Sequence, residues 1–174
     1  MSKLTAVQEK FILHWGEMGY RWGINRTVAQ IHALLYLSPH PLHAEEICDT
    51  LGVARSNVSN SLRELQNWRI VKIVHVLGDR RDHFESMKDV WEMFRLVLDE
   101  RKKREIDPTR EMLRHCLEEL DKGGKNDAYT QERLVRMQDF FETMSRWYGE
   151  LEKLSTPALM KFVRLGEKLR KWIS

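Results

Sequence analysis

At 174 residues, with 42% hydrophobic and 32% charged residues and a net charge of +3, the chain has the composition of a packed globular protein and not of a disordered one. No apolar run approaches the ~18 residues of a membrane span, and the first five residues lack the apolar core of a secretory leader. Two cysteines, Cys48 and Cys116, are too few for a disulfide framework, so packed or free thiols and a cytoplasmic setting are expected.

The first predicted helix carries Leu4, Val7, Phe11, Trp15, Met18 and Trp22 at spacings of 3, 4, 4, 3 and 4, a strong apolar stripe. Gly16, Gly19 and Gly23 lie together on an adjacent face. An interior glycine weakens a helix by roughly 1 kcal/mol relative to alanine. Either another helix, such as one from a partner subunit, approaches closely there, or the helix frays from Gly19 and stops at Gly23. Asn25 caps the next helix, with Val28, Ile31, Leu34, Leu35 and Leu37 for its core, and Ser38-Pro39-His40-Pro41 ends it.

Residues 42–86 follow as a short helix, a turn, a second helix and a small hairpin. Ala44, Ile47, Cys48 and Leu51 face inward on the short helix, Glu45 and Glu46 suit its N-terminal dipole, and Gly52 closes it. The second helix, predicted over 54–69, has two faces at the helical repeat. Val58, Leu62, Leu65 and Arg69 take the inner side, and Ser56, Asn60, Arg63 and Asn67 the outer. Hydroxyl, amide and guanidinium groups in a row, with no acid among them, suit the major groove, where arginine pairs with guanine and asparagine with adenine edges. This is read as a recognition helix, with Arg55, Ser56, Asn57, Ser59, Asn60, Arg63 and Asn67 as its candidate DNA contacts; the plainer role for Ser56 and Asn57 is to favour a helix start. Ala54 stands where a capping Ser or Thr is expected, at a cost of ~1 kcal/mol that Ser56 or the preceding turn could offset.

Ile70-Val71-Lys72-Ile73-Val74-His75-Val76 reads as a strand, Gly78-Asp79-Arg80-Arg81-Asp82 as a turn and His83-Phe84-Glu85 as the returning strand. Arg80 and Arg81 at this tip are placed to meet phosphates or a minor groove. Asp79 either orients Arg80 or shapes the turn. Residues 54–81 hold six basic side chains against two acidic ones, whereas 105–174 balance at thirteen of each. The excess positive charge thus falls where phosphate attraction needs it.

Beyond the hairpin, a helix is predicted over 88–104 with Val90, Trp91, Phe94, Val97 and Leu98 apolar, ending in Arg101-Lys102-Lys103-Arg104. Pro108 starts another, through Met112, Leu113, Cys116, Leu117 and Leu120. Lys122-Gly123-Gly124-Lys125-Asn126 is a linker. A long helix over 128–154 carries Leu134, Met137, Phe141, Met144, Tyr148 and Leu151. Thr156-Pro157 opens the last, through Leu159, Phe162, Leu165, Leu169 and Trp172. The expected fold is mainly α: a winged helix-turn-helix with a small β-hairpin wing and long helical dimerisation extensions. Residues 1–87 form the DNA-binding domain and 88–174 the helical region. The apolar stripes beyond residue 88 exceed what one small domain can cover, and a homodimer covers them while setting two recognition helices about one DNA turn apart.

With these residues in place, the chain resembles the MarR superfamily of winged helix-turn-helix repressors, and within it the GbsR-like branch. The resemblance rests on Trp15-Gly16-Glu17-Met18-Gly19, Trp22-Gly23, Leu51-Gly52-Val53, Arg55-Ser56-Asn57-Val58-Ser59, Arg63-Glu64-Leu65, Gly78-Asp79-Arg80-Arg81-Asp82 and Asp89-Val90-Trp91, in that order, and spans roughly 10–108. It implies a homodimeric transcription regulator acting on a double-stranded DNA operator, often as a repressor, with some members responding to choline or related compounds. On that basis Trp22, Trp91, Phe94, Trp147 and Tyr148 are candidates for a cation–π cage around a small-molecule effector, against the more ordinary reading of such aromatics as core. No cofactor or metal is expected: His40, His43, His115 and Cys116 do not assemble a four-ligand spacing, and the first two suit turn and cap positions. No catalytic motif is present, so the chain is not expected to be an enzyme. The alternative is a winged-helix protein-interaction module without DNA binding, which the polar, basic outer face of the second helix disfavours.

Overall fold

The core forms around one helix. Asn25 Oδ1 accepts from Thr27 N–H at 2.8 Å and starts α2, Arg26–Leu37, in which Val28, Ile31, Leu34 and Leu35 are buried. The computed structural model describes residues 4–122 and 127–173, the last eight in backbone only. It holds eight α-helices and a small antiparallel sheet among those residues. Two compact units result, Met1–Leu96 and Val97–Ser174. Gly123, Gly124, Lys125 and Asn126 of the expected linker, and the side chains of Leu169 and Trp172, lie outside the described residues.

In the first unit α1, Ala6–Arg21, begins with a capping box between Thr5 and Gln8. Its fully buried face is Ile12, Gly16 and Gly19. Of the bulky stripe, Leu4 and Phe11 pack half-buried against the core and Met18 is half-buried, while Val7 is 78% and Trp22 59% exposed, and Trp15 is also exposed. The glycines explain this. A Cβ on Gly19 would come within 2.5 Å of Ala29 Cβ and one on Gly16 within 2.7 Å of Gln30 Cγ, so α2 of the same chain is the helix that approaches closely. Gly23 is different, turning the chain at φ 77° after the helix ends.

Next come β1, Leu42–His43, then α3, Ala44–Leu51, closed by Gly52 at φ 64°, and α4, Arg55–Asn67. Val58, Ser61, Leu62 and Leu65 form the inner face of α4 and meet Ile31, Leu35 and Ile47 in one core. Arg69 does not join them. It is exposed at φ 60°, the left-handed turn by which the chain leaves α4 for the wing. The wing consists of β2, Val71–Val74, and β3, His83–Ser86, shorter than the predicted run through Val76. The sheet order is β1-β3-β2, with Leu42 opposite Phe84 and Ile73 opposite Phe84 on its other side. Strand β1 was not foreseen, since two residues carry no periodicity. Lys88 Nζ then donates to the carbonyls of Leu35, Tyr36 and Ser38 at 2.8–2.9 Å, closing the C-terminus of α2 from the segment after the wing.

Helix α5, Val90–Arg101, starts on the Asp89 carboxylate and does not stop at residue 104. A π-helical turn, Lys102–Ile106, carries it directly into α6, Asp107–Lys122. Pro108 therefore continues a helix instead of opening one. Proline has no N–H to give, and its ring collides with the carbonyl four residues back. The wider turn relieves this: Asp107 N–H donates to Lys102 O, and Thr109 Oγ1 donates to Glu105 O at 2.6 Å. In the second unit α7, Ala128–Glu152, runs beside α6, joined by Arg110 Nη2 to Glu142 Oε2 at 3.0 Å, and α8 is Thr156–Ile173. Leu113 and Leu159 are buried there; no residue of α7 is.

Candidate nucleic-acid interface

The outer face of α4 stands as the sequence ordered it. Ser56, Asn57, Ser59, Asn60, Arg63 and Asn67 are all exposed, and none of their side chains makes a hydrogen bond or ion pair with another described residue. From Ser56 to Asn67 the row spans about 16 Å at 1.5 Å per residue, enough to follow several base pairs. Ala54 caps α4 through its extended backbone alone, with no side-chain bond, as the missing Ser or Thr implied.

The basic residues divide into two groups. Arg55 pairs with Glu45 of α3, Lys72 with Glu85 across the strands at 3.3 Å, and Arg81 with Asp79. Arg63, Arg69 and Arg80 have no partner among the described residues. The charge excess of residues 54–81 is thus partly matched by two acids just outside that window, Glu45 and Glu85.

At the tip, Asp79 N–H donates to Val76 O at 3.0 Å and Gly78 sits at φ 86°, a tight turn with glycine where only a residue lacking Cβ is unstrained. Asp79 orients Arg81 and not Arg80. Its carboxylate accepts Arg81 Nε at 2.9 and 3.1 Å, the Arg81 backbone N–H at 3.0 Å, and Nη2 as well. These bonds hold the Asp79 carboxyl below the usual carboxylate range. Arg80 is left exposed. Arg81 Nη1 also reaches His43 Nε2 at 2.9 Å, which sequence spacing, 38 residues apart, gave no means to see. Between α3, α4 and the wing lies a cleft of about 380 Å³, lined among others by Glu45, Arg55, Ser59, Arg63, Gln66 and Arg81. Gln66 and Glu45 were not among the predicted contacts; Gln66 lies one helical turn from Arg63 on α4, whereas Glu45 reaches the cleft from α3 through its pair with Arg55.

The aromatic candidates divide between the units: Trp22, Trp91 and Phe94 in the first, Trp147 and Tyr148 in the second. Trp91 and Phe94 meet edge to face at 6.4 Å. His43 is committed as the N-cap of α3, with Glu46 Oε2 accepting its backbone N–H at 3.0 Å, and His115 lies 3.2 Å from Glu111. Among the described residues no helix is long and apolar enough to cross a membrane.

A helix-turn-helix whose second helix presents unpaired donors, followed by a hairpin with a free arginine, defines a winged helix-turn-helix transcriptional regulator that binds DNA. The MarR family model matches residues 22–82, the span from the end of α1 to the tip of the wing. The HTH-type transcriptional repressor GbsR of Bacillus subtilis (strain 168) is 22% identical over 160 residues, 84% of this chain and 85% of the relative. The HTH-type transcriptional repressor OpcR of the same organism is 20% identical over 167 residues, 96% and 89%. The HTH-type transcriptional regulator YvaV, also from that organism, is 22% identical over 94 residues, so this match spans about half of each chain, 54% and 53%. A crystal structure of a transcriptional regulator shares the fold at a TM-score of 0.65 and 18% identity, covering 91% of this chain and 99% of that one.

Proposed function

We propose that the protein is a homodimeric repressor that lays α4 in the major groove of an operator and the wing beside it. The observation that carries this is the row at 56, 60, 63 and 67, exposed and without internal partners. Ser56, Asn57, Ser59, Asn60, Arg63 and Asn67 are assigned to base edges and adjoining phosphates, Arg63 as the specificity contact and Arg80 as a phosphate or minor-groove contact. Arg55 and Arg81 serve in the same set, each steered by its acidic partner. Residues 1–87 read DNA; 88–174 form the dimer and hold any effector site. Exposed Phe140, Met137, Met144 and Trp147 on α7 support the dimer, because such surface is normally covered. The repressor role follows the named activity of the GbsR and OpcR relatives.

A quaternary ammonium such as choline is the effector proposed, coupled to DNA affinity by ~1–3 kcal/mol, with its candidate aromatic contacts taken separately in each unit: Trp22, Trp91 and Phe94 in the first, Trp147 and Tyr148 in the second. Tryptophan fluorescence and operator affinity unchanged by choline or glycine betaine would remove it. The protein is proposed to act in the cytoplasm and to catalyse no reaction. Operator titrations test the DNA face. Arg63→Ala is expected to lose ~1–3 kcal/mol at the cognate site and to relax base preference. Arg80→Ala is expected to weaken binding across sequences and to shallow the salt dependence. Wild-type isotherms for both would overturn the assignment.

A further inference from the structure

One continuous polar chain joins the wing to the start of α4. The Asp79 carboxylate holds Arg81, Arg81 Nη1 lies 2.9 Å from His43 Nε2, His43 Nδ1 lies 3.0 Å from Glu45 Oε2, and Glu45 Oε1 pairs with Arg55 in the first turn of α4. The His43 ring is buried, its side chain 11% exposed, so these contacts are its surroundings. A guanidinium can only donate. Nε2 must therefore accept, which leaves the proton of a neutral ring on Nδ1. The 3.0 Å contact to Glu45 and the 3.4 Å approach of Glu46 N–H ask opposite things of Nδ1, and the Arg81 donor decides for Glu45.

We propose that His43 is a positioning residue for DNA recognition: its neutral ring links Arg81 at the wing tip to the recognition helix through Glu45, and protonation releases Arg81 while the backbone pairing of β1 with β3 stays in place. This rests on α4 and the wing being the DNA face. A doubly protonated ring sets a donor and a positive charge against Arg81. Its Nε2–H has another acceptor, Glu46 Oε2 at 3.5 Å, so the ring changes partner. The charged and titratable groups around it are Glu45 and Glu46 on α3, Arg55 on α4, and Asp79, Arg81 and His83 on the wing. His83 is in edge contact at 5.5 Å, but its Nδ1 faces Arg81 O at 3.0 Å and its Nε2 stands 3.6 Å from Asp79, so it does not bridge to α3.

The test uses the full chain, a duplex enriched from a random pool and a scrambled duplex of equal length, from pH about 7.5 to about 5.5. Wild type is expected to lose about tenfold of its preference for the enriched site on acidification, the worth of one charge-assisted hydrogen bond. His43→Asn keeps a good N-cap for α3 but is too short to reach Arg81. It should show the lowered preference already at neutral pH and a flat profile, while His83→Asn keeps the wild-type profile. Imidazole nitrogen NMR of the wild type, which needs no variant, should show His43 protonated on Nδ1 at neutral pH. An Nε2–H tautomer, a wild-type profile in His43→Asn, or a profile lost in His83→Asn each overturns the proposal. Arg63→Ala run alongside separates the two readings. If it abolishes preference while His43→Asn behaves as wild type, only the role of His43 falls. If it too is without effect, the DNA face itself falls.

Discussion

The winged unit and the helical unit treat their apolar residues in opposite ways. In the first, Ile31, Leu35, Ile47, Val58 and Leu65 are at most 2% exposed and meet in one core. In the second, α7 runs for 25 residues without burying one, and Phe140 and Trp147 stand 60% and 50% exposed. Helices in proteins owe most of their stability to packing of one face. The first unit supplies that packing from its own chain. The second leaves apolar side chains of α7 exposed.

The largest expected effect is in the winged core. Leu65→Ala should destabilise the unit by about 2–5 kcal/mol in chemical denaturation, while Phe140→Ser at low protein concentration should change it by less than about 0.5 kcal/mol and lower the sedimentation coefficient at high concentration. A greater loss at 140 than at 65 in dilute protein would break the contrast. A smaller effect comes from His32. Burial holds its pKa down at about 4, with Lys88 adding to the shift, and Trp15 Nε1–H donates to its Nδ1 at 3.3 Å. Below pH about 6.5 the unfolded chain binds a proton there that the folded chain refuses, so stability falls with acid until about pH 4, by up to about 3 kcal/mol. His32→Leu should flatten this part of the pH–stability curve; an unchanged slope would assign the acid sensitivity elsewhere. The smallest is Gly19→Ala, whose Cβ meets Ala29 at 2.5 Å. It should lower the melting stability by about 1–2 kcal/mol despite the gain in helix propensity, and a net stabilisation would show that α1 and α2 can part.

The two faces of α4 were legible because its inner and outer residues recur at 3.6, a period any helix enforces locally. What escaped the sequence depends on distant partners. The bulky stripe of α1 captured only part of its packed face: Leu4 and Phe11 do lie against the core, but the tightest packing selects the smallest residues, Gly16 and Gly19, and leaves Trp22 outside. Arg69 fell on the inner face by periodicity, yet α4 ends two residues earlier and the chain turns left-handed there. Asp79 sits beside both arginines, and only the fold of the turn chooses Arg81. Pro108 signalled a helix start in every local respect, and a π-helical turn absorbed it instead. Counting charge over 54–81 missed Glu45 and Glu85, which reach Arg55 and Lys72 from other elements.

The measurement that bears most directly on this account is selection of bound duplexes from a random pool with the purified protein, repeated with Arg63→Ala. A two-fold symmetric site, with half-sites about one DNA turn apart and its preference relaxed by the substitution, is the expected result. Recovery of no enriched sequence, or of the same sequence with the same affinity by Arg63→Ala, would contradict the account and turn attention to a protein partner for the outer face of α4.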